Sequence, residues 1–93
     1  MQFLVKVRVD LTKMSEFGQK LQQGELDRRC IRGETYCLKD DPAVGYSIWE
    51  AEDELAFEEV FSAWRPYYEL VEVRGVVSPS ESLRMLMERM NPA

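Results

Sequence analysis

The chain keeps the period of a strand, then of a helix, then of two strands, then of a helix and a strand again, and this order narrows the fold more than any other feature. Phe3, Val5, Val7 and Val9 alternate with Leu4, Lys6, Arg8 and Asp10, giving one dry face and one polar face. From Leu11 the spacing changes. Met14, Phe17 and Leu21 recur at three and four residues, which predicts a helix capped by Thr12 and ended near Gly24, with a further turn over 25–28. Residues 32–38 and 44–49 are rich in strand formers around Lys39-Asp40-Asp41-Pro42-Ala43, whose proline cannot donate to a ladder, so they read as a hairpin. Asp53 caps a second helix whose apolar stripe includes Ala56, Val60, Ala63 and Trp64, and Pro66 stops it. A fourth strand over 69–77 follows. Ser78-Pro79-Ser80-Glu81 then opens a helix over about 79–90, with Ser78 as cap, Pro79 in the first helical position and Glu81 completing a capping box.

The order is βαββαβ plus a terminal helix, an α+β chain that residues 1–93 build as one ferredoxin-like domain. Two right-handed split βαβ units give an antiparallel sheet of spatial order 4-1-3-2 with both helices on one face. Tyr67 and Tyr68 fill the corner after Trp64, and Val71, Val73 and Val77 point back to the helices. At 93 residues the chain buries only roughly 60 to 65% of the surface its unfolded form exposes, which leaves a marginal core and favours a partner subunit.

Composition removes several functions. A net charge of −5 with 12 scattered Lys and Arg gives no basic footprint for a nucleic acid. No apolar run approaches 18 residues and the N-terminal stretch lacks a signal-peptide core, so the expectation is a cytoplasmic protein with no membrane partner. There is no histidine, which removes the common zinc sites, the usual haem ligand and every Ser-His or Cys-His nucleophile pair. Cys30 and Cys37 sit about 23 Å apart along an extended segment, so they read as free thiols. No glycine-rich phosphate loop is present, and the acidic run from Glu50 to Glu59 suits a helix N-terminal half better than a cation site. No cofactor and no metal are expected.

A sheet covered on one side leaves a second face to explain. Leu4, Lys6, Arg8 and Asp10 fall there from the first strand, and Leu70, Glu72, Arg74 and Val76 from the fourth, so Lys6, Arg8, Glu72 and Arg74 should cluster. On the hairpin, either Arg32, Glu34 and Tyr36 or Gly33, Thr35 and Cys37 share that face, with either Ser47 and Trp49 or Tyr46 and Ile48. The preferred assignment is Glu34, Tyr36, Ser47 and Trp49, with Tyr46 and Ile48 toward the helices.

The stretch YSIWEAEDELAFEEVFSAWRPYYELVEVRGVV, residues 46–77, together with the element order, resembles the dimeric α/β-barrel superfamily, and within it is similar to the muconolactone isomerases and small relatives. The resemblance implies two sheets packed face to face in a homodimer or a multiple of dimers, with a pocket between or beside them. The chain departs from it in having no histidine and a well-formed last helix.

Two readings of the open face follow. In the first, Lys6, Arg8, Arg74 and Arg32 bind a carboxylate-bearing small molecule with Tyr36 and Trp49, while Glu72 or Glu34 moves a proton at carbon in a cofactor-independent isomerisation. A monooxygenase acting on a quinol is a further activity within the resemblance. In the second, the same charges are cross-strand ion pairs of a non-catalytic dimeric interaction or sensory module. Leu83, Leu86 and the methionines of the last helix then pack on a sheet rim, the chain's own or a partner's.

Overall fold

The computed structural model describes residues 1–90. Strand β1 (Gln2–Val9) leads through a 3-10 turn at Leu11–Lys13 into helix α1 (Met14–Gln22). Strands β2 (Ile31–Cys37) and β3 (Val44–Glu50) form the hairpin. Helix α2 (Glu54–Phe61), a 3-10 turn at Arg65–Tyr67, strand β4 (Tyr68–Val76) and helix α3 (Pro79–Met90) complete the order. The sheet runs β2-β3-β1-β4 with antiparallel neighbours, the ferredoxin-like arrangement expected from the periodicities.

Local signals explain most boundaries. Asp53 caps α2 by accepting from the Ala56 amide at 2.8 Å, and Ser78 accepts from the Glu81 amide at 3.2 Å. The Glu81 carboxylate is engaged by Arg84, so the capping box is half made. Thr12 is not the first cap: Asp10 accepts from both the amide and the hydroxyl of Thr12, at 3.0 and 2.7 Å, and starts the 3-10 turn that precedes α1. These bonds also hold the Asp10 carboxyl below its usual range, the Thr12 hydroxyl first.

The core lies between the sheet and the helices. Phe3 and Val5 are 3% and 1% exposed. Phe3 stacks on Phe57 at 4.7 Å, and Trp49 stands edge-on to Phe57, Phe61 and Trp64 at 5.2 to 5.6 Å. This corrects the expected hairpin faces. Register pairs Phe3 with Trp49 and Val5 with Ser47, so Trp49 and Ser47 face the helices, while Tyr46 and Ile48, opposite Lys6 and Leu4, face away. The reason is volume: Gly45 and Ser47 are small enough to lie beneath the helix layer, and one large ring at Trp49 fills the space α2 presents with Phe57 and Phe61. The Trp49 indole donates to Ser47 Oγ at 2.9 Å, which satisfies its N–H inside the core.

Val77 is also corrected. It lies past the end of β4 and is exposed, whereas Val71 and Val73 pair with Val7 and Val5 on the helix side as expected. A bulge places Glu69 as an extra residue between the pairs Arg8–Leu70 and Val9–Tyr68. That extra residue turns the Tyr68 ring toward the helices, where it meets Phe17 edge-on at 5.7 Å.

Candidate functional site

The open face carries the charges that the sequence placed there. Lys6 lies opposite Glu72, Leu4 opposite Arg74 and Arg8 opposite Leu70. Lys6 Nζ sits 6.0 Å from the centroid of the Tyr46 ring. Arg8 does not bind Glu72. It donates to Asp41 and, at 2.6 Å, to the bulge residue Glu69. Among the described residues Lys6, Glu72 and Arg74 take part in no ion pair.

The hairpin residues separate. Tyr36 pairs with Tyr46 on the open face and is 66% exposed. Glu34 is exposed in the stretch where the β2–β3 register breaks, beside Gly33 at φ +69°. Arg32 lies opposite Ile48, donates to the Arg29 carbonyl at 2.5 Å and stands 3.9 Å from Glu50. It borders a shallow depression at the sheet end with Met1, Glu50, Ala51 and Glu52. Trp49 is 2% exposed in the core and cannot be a platform on the open face. The structure therefore gathers Lys6, Glu72 and Arg74 on one surface and does not bring Glu34 or Trp49 to them.

A partly open apolar cleft lies on the other side of the sheet. A cavity of about 280 Å³ lies between α1 and strands β1, β2 and β3, walled by Val7, Val9, Phe17, Leu21, Trp64 and Tyr68. The hairpin loop closes one side with Pro42 and Ala43, and Gly45 forms the floor. A Cβ at Gly45 would meet Cys37 Sγ at 3.6 Å, so the missing side chain contributes directly to the free space. Three polar side chains reach this apolar chamber beside the Tyr68 hydroxyl: Arg28, Thr35 and the Cys37 thiol.

Burial there favours the neutral form of the Tyr68 phenol. Burial raises the Tyr68 phenol well above its ordinary value of 10.0, and the charge of a nearby Cys37 thiolate raises it further. Tyr68 is thus a hydrogen-bond donor throughout the physiological range. Its neighbour Tyr67 has a structural task, with its hydroxyl 3.4 Å from Glu16, whereas Tyr68 has no such side-chain partner among the described residues. Trp64 is anchored by its indole N–H, which donates to the Asp27 carbonyl at 3.1 Å. The loop on the cavity wall is held from the opposite face: Arg8 grips Asp41, and the Val9 amide donates to the Ala43 carbonyl at 2.9 Å.

Sequence reasoning passed over Arg28, Thr35, Trp64 and Tyr68 as site residues. One signal was available, since an isolated glycine within a strand often marks a close approach or a space kept free, and Gly45 is that residue.

No family model matches the chain, and no curated protein matches it. Solved structures do. The chain is similar to a provisionally assigned antibiotic biosynthesis monooxygenase from Bacteroides thetaiotaomicron, at a TM-score of 0.55 and 13% identity over 85% of this chain and 89% of the other. It is also similar to 5-chloro-2-hydroxyhydroquinone dehydrochlorinase from Burkholderia phenoliruptrix, solved in complex with 2,5-dihydroxybenzoquinone, at a TM-score of 0.53 and 14% identity over 87% and 98%. At these identities the likeness establishes a shared ferredoxin-like fold.

Proposed function

We propose that this chain binds a compact, mostly apolar small molecule carrying ionisable oxygens in the cavity between α1 and the sheet, and that it does so as a homodimer joined through its open sheet face. The single observation that carries the binding reading is the chamber itself. An apolar space of about 280 Å³ with a few convergent polar groups has the composition of a ligand pocket, just below the range of roughly 300 to 1,000 Å³ typical for ligands. One ring fits. Phe17, Trp64 and Tyr68 supply aromatic walls, the Arg28 guanidinium suits an anionic oxygen, and the protonated Tyr68 hydroxyl suits a carbonyl or phenolate oxygen.

This reading moves the ligand away from the open face. Glu72 and Glu34 are both exposed in the single chain and line no cleft there, whereas proton transfer at carbon is favoured in a sheltered site. If the chain is an enzyme, the group suited to polarising a bound oxygen is Tyr68, with Arg28 holding the accumulating negative charge. The ring-sized ligand of the dehydrochlorinase complex is consistent with the chamber and supplies a first probe.

The test is a titration with 2,5-dihydroxybenzoquinone followed by amide and indole NMR shifts. Shifts concentrated at Gly45, Cys37 and the Trp64 indole, weakened about tenfold or more in affinity by Arg28→Gln, are expected. Saturable shifts on Lys6, Glu72 and Arg74 with none at Trp64 would return the site to the open face. No saturable shift for this probe or for a panel of hydroxylated arenes would defeat the binding reading.

A further inference from the structure

We propose that α3 is an arm that docks on a second copy of this chain, its stripe of Leu83, Leu86, Met87 and Met90 lying against that copy's open sheet face. The inference rests on the homodimer reading and adds to it the element that completes the interface.

Helix α3 is formed but unpacked. None of its residues is buried, and the four stripe residues are 59%, 51%, 56% and 80% exposed. Successive helical residues turn by about 100°, which puts these four within one arc about 100° wide. The least exposed positions, Glu81, Ser82 and Met85, lie on a different side. The chain therefore turns its apolar stripe away from its own body. A helix of twelve residues is marginal in water without packing, so a stripe of this kind needs a surface. The described residues are drawn out to 56 × 30 × 20 Å with a radius of gyration of 15.9 Å, against about 12 Å for a compact domain of this length.

Charge and area choose the occupant. Arg84 is paired with Glu81 and, at 2.5 Å, with Glu88, so the polar side is neutralised within the helix. With Glu81 and Glu88 set against Arg84 and Arg89, α3 has no net charge and lacks the basic face that holds an amphipathic helix on anionic lipid. The chain's own open face is the complementary surface: Leu4, Ile48 and Leu70 are apolar there. Area points the same way. Four strands about 4.8 Å apart and about seven residues long present a face of roughly 450 Å², whereas a standard interface covers about 800 Å² per partner. A helix about 18 Å long laid on the partner supplies the difference.

The test is analytical ultracentrifugation of the full chain, Leu86→Glu/Met87→Glu and Ile48→Glu, with hydrogen exchange of α3 against protein concentration. Both stripe residues are exposed in the single chain, so the double variant should fold, and circular dichroism checks this. Expected are a dimer for the natural sequence, a dissociation constant raised about 100-fold or more by either variant, and α3 amides that slow as the dimer forms. If the double variant dissociates like the natural sequence while Ile48→Glu separates the copies, the arm is overturned and the open-face dimer stands. Separation by the double variant alone, with Ile48→Glu still paired, would overturn the sheet face as the arm's seat. A natural sequence that stays monomeric, including one whose α3 is instead protected by anionic vesicles, would overturn the arm and the homodimer together.

Discussion

The two faces of this sheet are built from the same strands and yet hold very different things. On one, Phe3 and Val5 of β1 are buried with Trp49 under α2. On the other, Leu4, Lys6 and Arg8 of the same strand stand beside exposed Glu72 and Arg74. The difference teaches that concave apolar space and a high density of ionisable groups can fall on opposite faces of one small sheet. Charges on a flat surface are screened and solvated, and pairs among them contribute little. A few polar atoms converging on an apolar cleft meet less competition from water than they would on a flat surface.

The largest effect that would separate the faces is on stability. Trp49→Ala removes the ring that touches Phe57, Phe61 and Trp64 and should cost about 3 to 5 kcal/mol. That is a large share of the roughly 5 to 15 kcal/mol typical of a domain. Its neighbour on the other face, Ile48→Ala, should cost about 1 kcal/mol at concentrations where the chain is a single copy. Urea unfolding of both variants measures the contrast. Equal losses would mean that the open face is packed as firmly as the core, and the comparison would collapse.

This contrast also shows what the sequence could and could not disclose. The strand and helix order was legible because Phe3 to Val9 alternates cleanly and because Asp53 and Ser78 are strong caps. The sheet order followed from handedness. The facing of β3 was not legible, since Val44-Tyr46-Ile48 and Gly45-Ser47-Trp49 each contain a plausible inward residue, and only the space offered by Phe57 and Phe61 selects between them. The cleft between α1 and the sheet went unread for the same reason, because charged residues are visible in a sequence while a concave volume is a product of packing. Tyr68 was hidden by a one-residue bulge at Glu69, which reverses the face that simple alternation assigns. For α3 the start was legible and the destination was not, since its stripe has no seat within the chain.

A middle-sized effect sharpens the comparison at the cavity floor. Gly45 has ordinary backbone angles, and a methyl group there meets Cys37 Sγ at 3.6 Å, the Tyr36 carbonyl at 3.8 Å and Val7 Cγ2 at 3.9 Å, all normal contacts. Gly45→Ala should therefore raise stability by about 0.5 to 1 kcal/mol by restricting the unfolded chain, while taking volume from the chamber and weakening ligand binding. Gly33→Ala is the counterpart on the exposed strand. At φ +69° it meets no crowding but a conformation that a side chain resists, so it should destabilise by about 1 kcal/mol and leave binding unchanged. Denaturant melts and the same NMR titration distinguish them. A Gly45→Ala protein that binds with unaltered affinity would show that the floor does not touch the ligand.

The smallest effect is a pH dependence confined to alkaline solution, and it tests the dryness of the chamber directly. In the folded chain the Tyr68 phenol is raised above its ordinary 10.0 by burial and by the Cys37 charge. An unfolded chain releases that proton near pH 10 while the folded one retains it, so the unfolded state gains relative to the folded as pH climbs through about 10. The contribution is thus intact below pH 10 and lost as the pH rises toward the folded phenol's own pKa. Subtracting the absorbance titration of Tyr68→Phe at 295 nm from that of the natural chain isolates this phenol, and its ionisation should begin only above the ordinary range. The variant's stability should correspondingly fall less steeply between pH 10 and the onset of alkaline unfolding. Ionisation of Tyr68 at the ordinary value would mean that water fills the space between α1 and the sheet, and the two faces would then differ in shape but not in dielectric character.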